Sequence, residues 1–460
     1  MDRIAQSSFL IIDDSNIIQS ATRALLMKLG VPMNNIISTA NAKGAVQACS
    51  KRKFDIILID HNLGTGSTGL QLLEYLHFKN LLSRRALVFI VTGNDSQEVF
   101  FGYSQHEPDG YLIKPIRSED IIKRVTAGLQ KREYCDILHQ AYTNNGLPSV
   151  KPLFAKAPDT AALKGGILYV ADLLTEQQQY EEAQAMLAGL LQVHDVLQAK
   201  VKQTEILVAQ KNYQQALEQV NKLIRFNPFN VRLLKLKTTI CTFTEQWEEA
   251  EESILQHIQL HSGNIEQTLT LAWVHLIHLD LEKAIPQLIK TAQLLPHSMW
   301  DTPGRRGMIL FADLMALQRK NDSSALKNWR LDGAWSRLCN DPKSRLRGKG
   351  PQKALLAIQA LLNEDNDKAQ HILTLVEDKE VVDFETIYLL CWAYSRLGDK
   401  NNFSRYQQLS EKTQAPVSEG LANLQDIALN GLYEANQNQK NTVDSNTEKP
   451  KGSIVLDETN

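Results

Sequence analysis

The sequence predicts a chain in two parts: an N-terminal α/β domain on a doubly wound, five-stranded parallel sheet, then an all-α solenoid of paired helices. Three observations predict it. Residues 1–140 alternate wholly apolar runs with helix-period segments. Residues 160–296 hold only helix-period segments, which recur every 33 or 34 residues. Between them, residues 141–159 contain three prolines and no periodicity, and read as a linker.

In the first part, "FLIID" reads as a buried strand, and Asp14 or Ser15 can cap a helix running to Gly30. "NIIST" is a second strand, followed by a helix through Lys51. "FDIILID" is a third strand and "GLQLLEYLHF" the helix after it. "ALVFIVTG" is a fourth, with a helix near Ser96–Ser104. "GYLIKP" is a fifth, and Ser118 starts the last helix. Strands apolar along their whole length, separated by helices, belong to a parallel sheet covered on both faces. Five such units in about 130 residues suit the flavodoxin-like doubly wound fold.

Composition excludes some functions. The net charge of −2 gives no general attraction to nucleic acid or anionic membrane. Five scattered cysteines, with no C-x-x-C pair, argue against a disulfide framework or a zinc site and suit a reducing cytosol. The N-terminus does not read as a signal peptide, and no apolar run is long enough to span a membrane. A cytoplasmic protein is expected.

In the second part, "YEEA", "YQQA", "WEEA" and "LEKA" align. They begin at Tyr180, Tyr213, Trp247 and Leu281, and end in Ala183, Ala216, Ala250 and Ala284. Pro228 and Pro296 stand fifteen residues after Tyr213 and Leu281, where a second helix should stop. Paired helices with a large residue three before a small one resemble the tetratricopeptide repeat. One pair cannot bury its apolar face alone; alanine permits close approach and stacking supplies the core. The period breaks at 297–350, where residues 301–349 carry a local charge of +6 beside Trp300, Trp329 and Trp335. Repeat-like pairs resume over 351–435, with Ala357 and Ala369 in the small positions. The polar tail from 436 to 460 is expected to be disordered.

Polar residues end the strands of the first part. Asp13 and Asp14 follow strand one, Asp60 ends strand three, Thr92 strand four and Lys114 strand five. In an open parallel sheet these ends flank the point where sites form. Three crowded carboxylates repel one another and call for a cation, and oxygen ligands without His or Cys point to Mg²⁺. Asp60 could then attack a phosphoryl group and form an acyl phosphate, with Lys114 and Thr92 meeting the charge on the transferring oxygens. Singly, each residue has a plainer reading: a cap for Asp13 and Asp14, a turn acid for Asp60, a strand residue for Thr92, a solvated lysine for Lys114.

Together they resemble the CheY-like receiver domain of two-component response regulators over residues 7–132. The spacings are 46 residues from Asp14 to Asp60, 32 to Thr92 and 22 to Lys114. The resemblance implies that Asp60 is the phosphoacceptor and that Asp13, Asp14 and Asp60 hold Mg²⁺ with the backbone carbonyl of Asn62. It implies that Thr92 and Lys114 contact the phosphoryl group, and that Thr92 and Tyr111 form the switch. Gly64 stands where the family usually has proline, and Gly93 where it usually has alanine; both loosen loop geometry.

Residues 64–69, "GTGSTG", match the dinucleotide fingerprint G-x-G-x-x-G. Four residues separate the strand from its first glycine, and twenty residues beyond Gly69 lies Phe89 instead of an acid. The stretch therefore reads as a flexible loop beside Asp60.

The expected partners are a histidine kinase or phosphotransfer protein, an unidentified protein on the array, and a second copy through the receiver. No separate enzymatic output is expected. The alternative output is nucleic-acid binding through the basic segment, against the plainer reading of a solvated loop with core tryptophans. His257, His261, His275 and His278 cluster in sequence, and packed or surface histidines are favoured over metal ligands.

Overall fold

The computed structural model describes residues 2–83, 85–93, 97–278, 280–339, 348–413 and 417–447. They divide into two compact units, Met1–Gln267 with Leu294–Trp300, and Thr268–Gln293 with Asp301–Asn460.

The first unit opens with a short helix, Asp2–Gln6, and the α/β domain follows. Its strands are β1 Phe9–Ile12, β2 Ile36–Thr39, β3 Ile56–Asp60, β4 Leu87–Thr92 and β5 Gly110–Ile113. Its helices are α1 Asn16–Lys28, α2 Ala42–Lys51, α3 Gly69–Phe78, α4 Gln97–Ser104 and α5 Ser118–Asn145. The sheet is parallel throughout, in the order β2-β1-β3-β4-β5. The inner strands β1, β3 and β4 are buried at every residue, as their unbroken apolar runs require. Alternate side chains face opposite layers: Leu10, Ile57 and Ile90 pack with Leu72 and Leu76 of α3, whereas Phe9, Leu58 and Phe89 pack with Leu26 of α1 and Val125 of α5. Each fully buried side chain of this size contributes roughly 1.5–3 kcal/mol. Ser15, rather than Asp14, caps α1, accepting from the Ile18 amide at 3.5 Å.

The stretch 141–159, expected as a linker, is mostly helical. α5 runs on to Asn145, a helical turn covers Leu147–Val150, and a 3-10 segment covers Lys151–Lys156. Pro148 and Pro152 each sit in the first turn of these pieces. There the missing N–H has no helical partner to lose, so proline starts a helix instead of breaking it. Tyr134, Leu138 and Tyr142 of α5 and Val150 form one core with the next helix.

That next helix is α6, Thr160–Glu176, paired with α7, Tyr180–Val193. Two more pairs follow: α8 Leu197–Ala209 with α9 Tyr213–Phe226, and α10 Val231–Phe243 with α11 Trp247–Leu260. Then come α12, Ile265–Ile277, and α13, Leu281–Leu294. Tyr180, Tyr213, Trp247 and Leu281 each open the second helix of a pair, and Ala183, Ala216, Ala250 and Ala284 are all fully buried. Pro228 and Pro296 lie two residues past the ends of α9 and α13. The turns inside the pairs place Gln178, Lys211 and Glu245 in the left-handed region, at φ of 60°, 60° and 55°.

In the second unit the same turn recurs. Asn321 (φ 53°) joins α14, Pro303–Arg319, to α15, Ser323–Asn328. After α16, Leu331–Cys339, Glu364 (φ 64°) joins α17, Lys349–Leu362, to α18, Asn366–Thr374. Gly398 (φ 77°) joins α19, Phe384–Leu397, to α20, Lys400–Thr413. The segment expected to be irregular thus contains a helix pair of the same kind. Its core is aromatic: Trp273 meets Phe384 and Tyr388 edge-on at 5.5 and 5.0 Å, and Phe311 meets Trp392 at 5.8 Å. The last helix, α21, spans Glu419–Thr447 and so enters the stretch expected as a disordered tail; residues 448–460 lie outside the described residues. No described helix is long and apolar enough to cross a membrane.

The two arginines of "GRRG" in the basic segment are not open to solvent. Arg305 and Arg306 are 5% and 4% exposed. Arg305 pairs with Glu385 at 3.1 Å and Arg306 with Asp301 at 2.6 Å. Trp300 and Trp335 are buried as well. A guanidinium sealed against a carboxylate is not available to a phosphate backbone, which removes "GRRG" as a nucleic-acid contact. Arg345 and Arg347 lie outside the described residues.

Candidate functional site

The site forms where β1, β3 and β5 end side by side. Asp13 leaves β1, with its amide donating to the Thr39 carbonyl at 3.1 Å. Its side chain accepts from the Ser15 amide at 2.9 Å, and its carbonyl accepts from Gln19 Nε2 at 2.7 Å. Asp60 closes β3, and both Asp13 and Asp60 are buried, while Asp14 is exposed. Lys114 follows β5, its amide bonded to the Thr92 carbonyl at 3.0 Å. Its Nζ bridges the two buried acids, 2.7 Å from Asp60 Oδ2 and 2.8 Å from Asp13 Oδ2.

Two carboxylates thus share one ammonium, and a third stands close by. An oxygen from each of Asp13, Asp14 and Asp60 falls within 4.8 Å of the others; among the described residues no other group of His, Cys, Asp or Glu approaches so closely. Burial, only partly offset by Lys114, raises the Asp60 carboxyl above the ordinary carboxylate range. Burial pulls Lys114 down, but its bonds to Asp13 and Asp60 outweigh this and leave the ammonium favoured. A hard, oxygen-only donor set with surplus negative charge, open on the Asp14 side, fits a divalent cation such as Mg²⁺.

Thr92 is buried at the end of β4, and its neighbour across the sheet is Ile113, next to Lys114. Tyr111 lies on β5, with its ring 5.4 Å from that of Phe100 and its hydroxyl donating to the Phe100 carbonyl at 3.4 Å. Asn62 accepts the Gly64 amide on its own side chain at 3.1 Å, which shapes the turn after Asp60.

The glycines of "GTGSTG" have separate reasons. Gly64 sits at φ +70°, and a Cβ there would meet Asp14 Oδ2 at 2.9 Å. Proline cannot adopt that φ, so this turn differs in kind from one with proline after the acid. Gly69 opens α3, and a Cβ on it would stand 2.1 Å from the Asp60 carbonyl oxygen. No nucleotide is needed to account for either. Gly93 differs from both, because nothing lies within 4 Å of its added Cβ.

Two residues absent from the sequence reading join the site. His61 lies T-shaped against Tyr103 of α4, with its Nδ1 3.4 Å from the hydroxyl. Tyr103 is fully buried. A histidine beside the acid was visible in sequence; its tyrosine partner, 42 residues on, was not. The array histidines form no comparable centre. His257 is buried and its imidazole is pushed down to about 3, first by burial and then by His261.

The family model of the response regulator receiver domain matches residues 9–126. No curated protein matches the chain. Among solved structures, Vibrio cholerae chemotaxis protein CheY4 is 22% identical over 27% of this chain and 100% of its own, with a TM-score of 0.25. A CheY-like response regulator receiver domain protein from Methanospirillum hungatei JF-1 is 25% identical over 28% of this chain and 96% of its own, at 0.25. A tetratricopeptide repeat protein from Parabacteroides merdae is 11% identical over 57% of this chain and 97% of its own, at 0.37. The N-terminal domain is therefore a response regulator receiver domain, on the sequence-family match and on the sheet order β2-β1-β3-β4-β5. Helices, most of them in repeat-like pairs, make up the described residues of the remainder.

Proposed function

We propose that the protein is a two-component response regulator, phosphorylated on Asp60 by a histidine kinase or phosphotransfer protein, whose helical array is a protein-binding output. The observation that carries this reading is the Lys114 ammonium bonded to both Asp60 and Asp13, with Asp14 in reach. An Asp60 oxygen attacks the phosphorus of a phosphohistidine. The P–N bond breaks, an acyl phosphate forms, and the imidazole leaves. Lys114 meets charge on the transferring oxygens, and Thr92 lends a hydroxyl at the adjoining strand end. Asp13, Asp14 and Asp60, with the Asn62 carbonyl, would hold Mg²⁺, which supplies positive charge against the phosphoryl group and among the acids. Tyr111, packed on α4, would carry the change outward together with Thr92.

The test is uptake of phosphate from a small acyl-phosphate donor with Mg²⁺ present. The wild-type chain is expected to take up one phosphate and Asp60→Asn none. Equal uptake by the two overturns the assignment. For the output, the full chain is expected to recover protein partners from the native cell.

A further inference from the structure

The turn between α9 and α10 carries two aromatic side chains that the fold leaves in solvent. Phe226 is 86% exposed and Phe229 66%. The turn itself is fixed. The Asn230 amide donates to the Asn227 carbonyl at 3.1 Å, and Asn227 Nδ2 donates to the Leu223 carbonyl at 3.1 Å. Asn230 Oδ1 caps α10, accepting from the Arg232 and Leu233 amides at 3.1 and 3.2 Å. Pro228 restricts the backbone between the two rings. Aromatic side chains held out on a rigid turn lose little freedom when a partner covers them. The two rings edge a groove of about 530 Å³. Its other apolar walls are Leu197 and Val201 of α8 and Phe100 and Phe101 of α4.

Charge around the groove has one sign. Between Glu218 and Glu245 the chain places Lys222, Arg225, Arg232, Lys235 and Lys237, and no acid. Arg232 is paired with Glu107 and Glu205, and Lys235 with Glu266. Lys222 and Arg225, on the last two turns of α9, are exposed, and neither is in an ion pair among the described residues. Two free cations beside two exposed rings complement a segment that sets acids next to large apolar residues. A nucleic acid fits less well: two cations neutralise little of a phosphate backbone, and a phosphodiester does not fill an apolar wall. We infer that this groove docks an acidic partner segment through one or two large apolar side chains. This partner chemistry rests on the reading of the array as a protein-binding output and is independent of phosphorylation at Asp60.

The experiment selects a displayed library of short random peptides on the full wild-type chain, without phosphodonor, and measures binding of the recovered peptides. They are expected to carry Asp or Glu beside Phe, Trp, Leu or Ile. They should bind wild type roughly tenfold or more tightly than the double variant Phe226→Ser with Phe229→Ser, the scale of a lost anchor. Both rings lie in solvent, so that variant should melt with wild type. Lys222→Glu with Arg225→Glu should weaken binding roughly three- to tenfold at low salt, and less at high salt. An empty selection, peptides without acids, or equal binding to the phenylalanine variant overturns the docking site. A single-stranded oligonucleotide that binds wild type and loses its binding in either variant also overturns it, and makes the turn a nucleic-acid surface. Native-cell partners recovered equally by wild type and the phenylalanine variant leave the protein-binding output standing and overturn the groove alone. Recovery of none by either counts against that output, while peptide binding still decides the groove.

Discussion

Asp60 and Glu385 are both sealed from solvent, at 4% and 0% exposure, and both face a cation, yet their surroundings differ in charge count. Asp60 shares Lys114 with Asp13, and Asp14 stands close by. Glu385 has Arg305 at 3.1 Å, while its neighbour Asp383 is met by the Gly304 amide at 2.8 Å and the Thr386 amide at 2.8 Å. The first cluster has surplus negative charge and an exposed acid at its rim. The second ties one carboxylate to the guanidinium and the other to backbone amides, and is closed. Surplus charge with an opening is chemistry waiting for a cation or phosphoryl group; matched, closed charge holds helices in register.

The largest test of this contrast is Arg305→Met. It leaves Glu385 buried without its guanidinium, and a loss of about 3–5 kcal/mol is expected in denaturant unfolding. Arg305→Met with Glu385→Leu should recover most of it, because an apolar pair of similar volume replaces a buried ion pair at little cost. A single variant as stable as wild type would break the contrast. Gly69→Ala comes next. Its Cβ would lie 2.1 Å from the Asp60 carbonyl, so α3 or the end of β3 must move. Overpacking of this kind costs about 1–3 kcal/mol, and slower phosphate uptake should accompany it. Gly93→Ala, with open space around its Cβ, is the control and should leave stability unchanged.

The two regions were unequally legible in sequence. Each inner strand announced itself as an apolar run ended by a polar residue, because a doubly covered strand has no solvent face and its C-terminal end is where the chain reaches the site. The pattern therefore places Asp13, Asp60 and Lys114 at strand ends from sequence alone. The Arg305–Glu385 pair could not, since 80 residues separate its members and no period links them. Arginines in a basic stretch read as surface until a distant acid is brought to them. The left-handed turns at Gln178, Lys211 and Glu245 were hidden for a local reason: none is glycine, so composition does not mark them. The 141–159 stretch misled in the opposite sense, because prolines that break a helix interior also start a new helix.

The smallest expected effect isolates the surplus charge itself. Burial raises the Asp60 carboxyl above the ordinary carboxylate range, so the fold favours its neutral form. A carboxyl raised in this way adds stability below the ordinary range, where it is protonated, and loses that contribution as pH rises through its folded value. At pH 7 and without divalent cations, ionised Asp60 therefore weighs against the fold. Asparagine is neutral and of the same shape, so Asp60→Asn should melt higher than wild type by about 2 °C. The gap should close as pH falls through the raised Asp60 value, where the wild-type carboxyl protonates. Mg²⁺ should close it from the other side, raising the wild-type melting temperature more than that of Asp60→Asn, because binding to the folded state alone stabilises it. If the variant melts lower than wild type at pH 7 in chelator, the ammonium of Lys114 already balances the acids. The Asp60 cluster would then be a matched ion group like that of Glu385, and the contrast between the two regions would fail at its root.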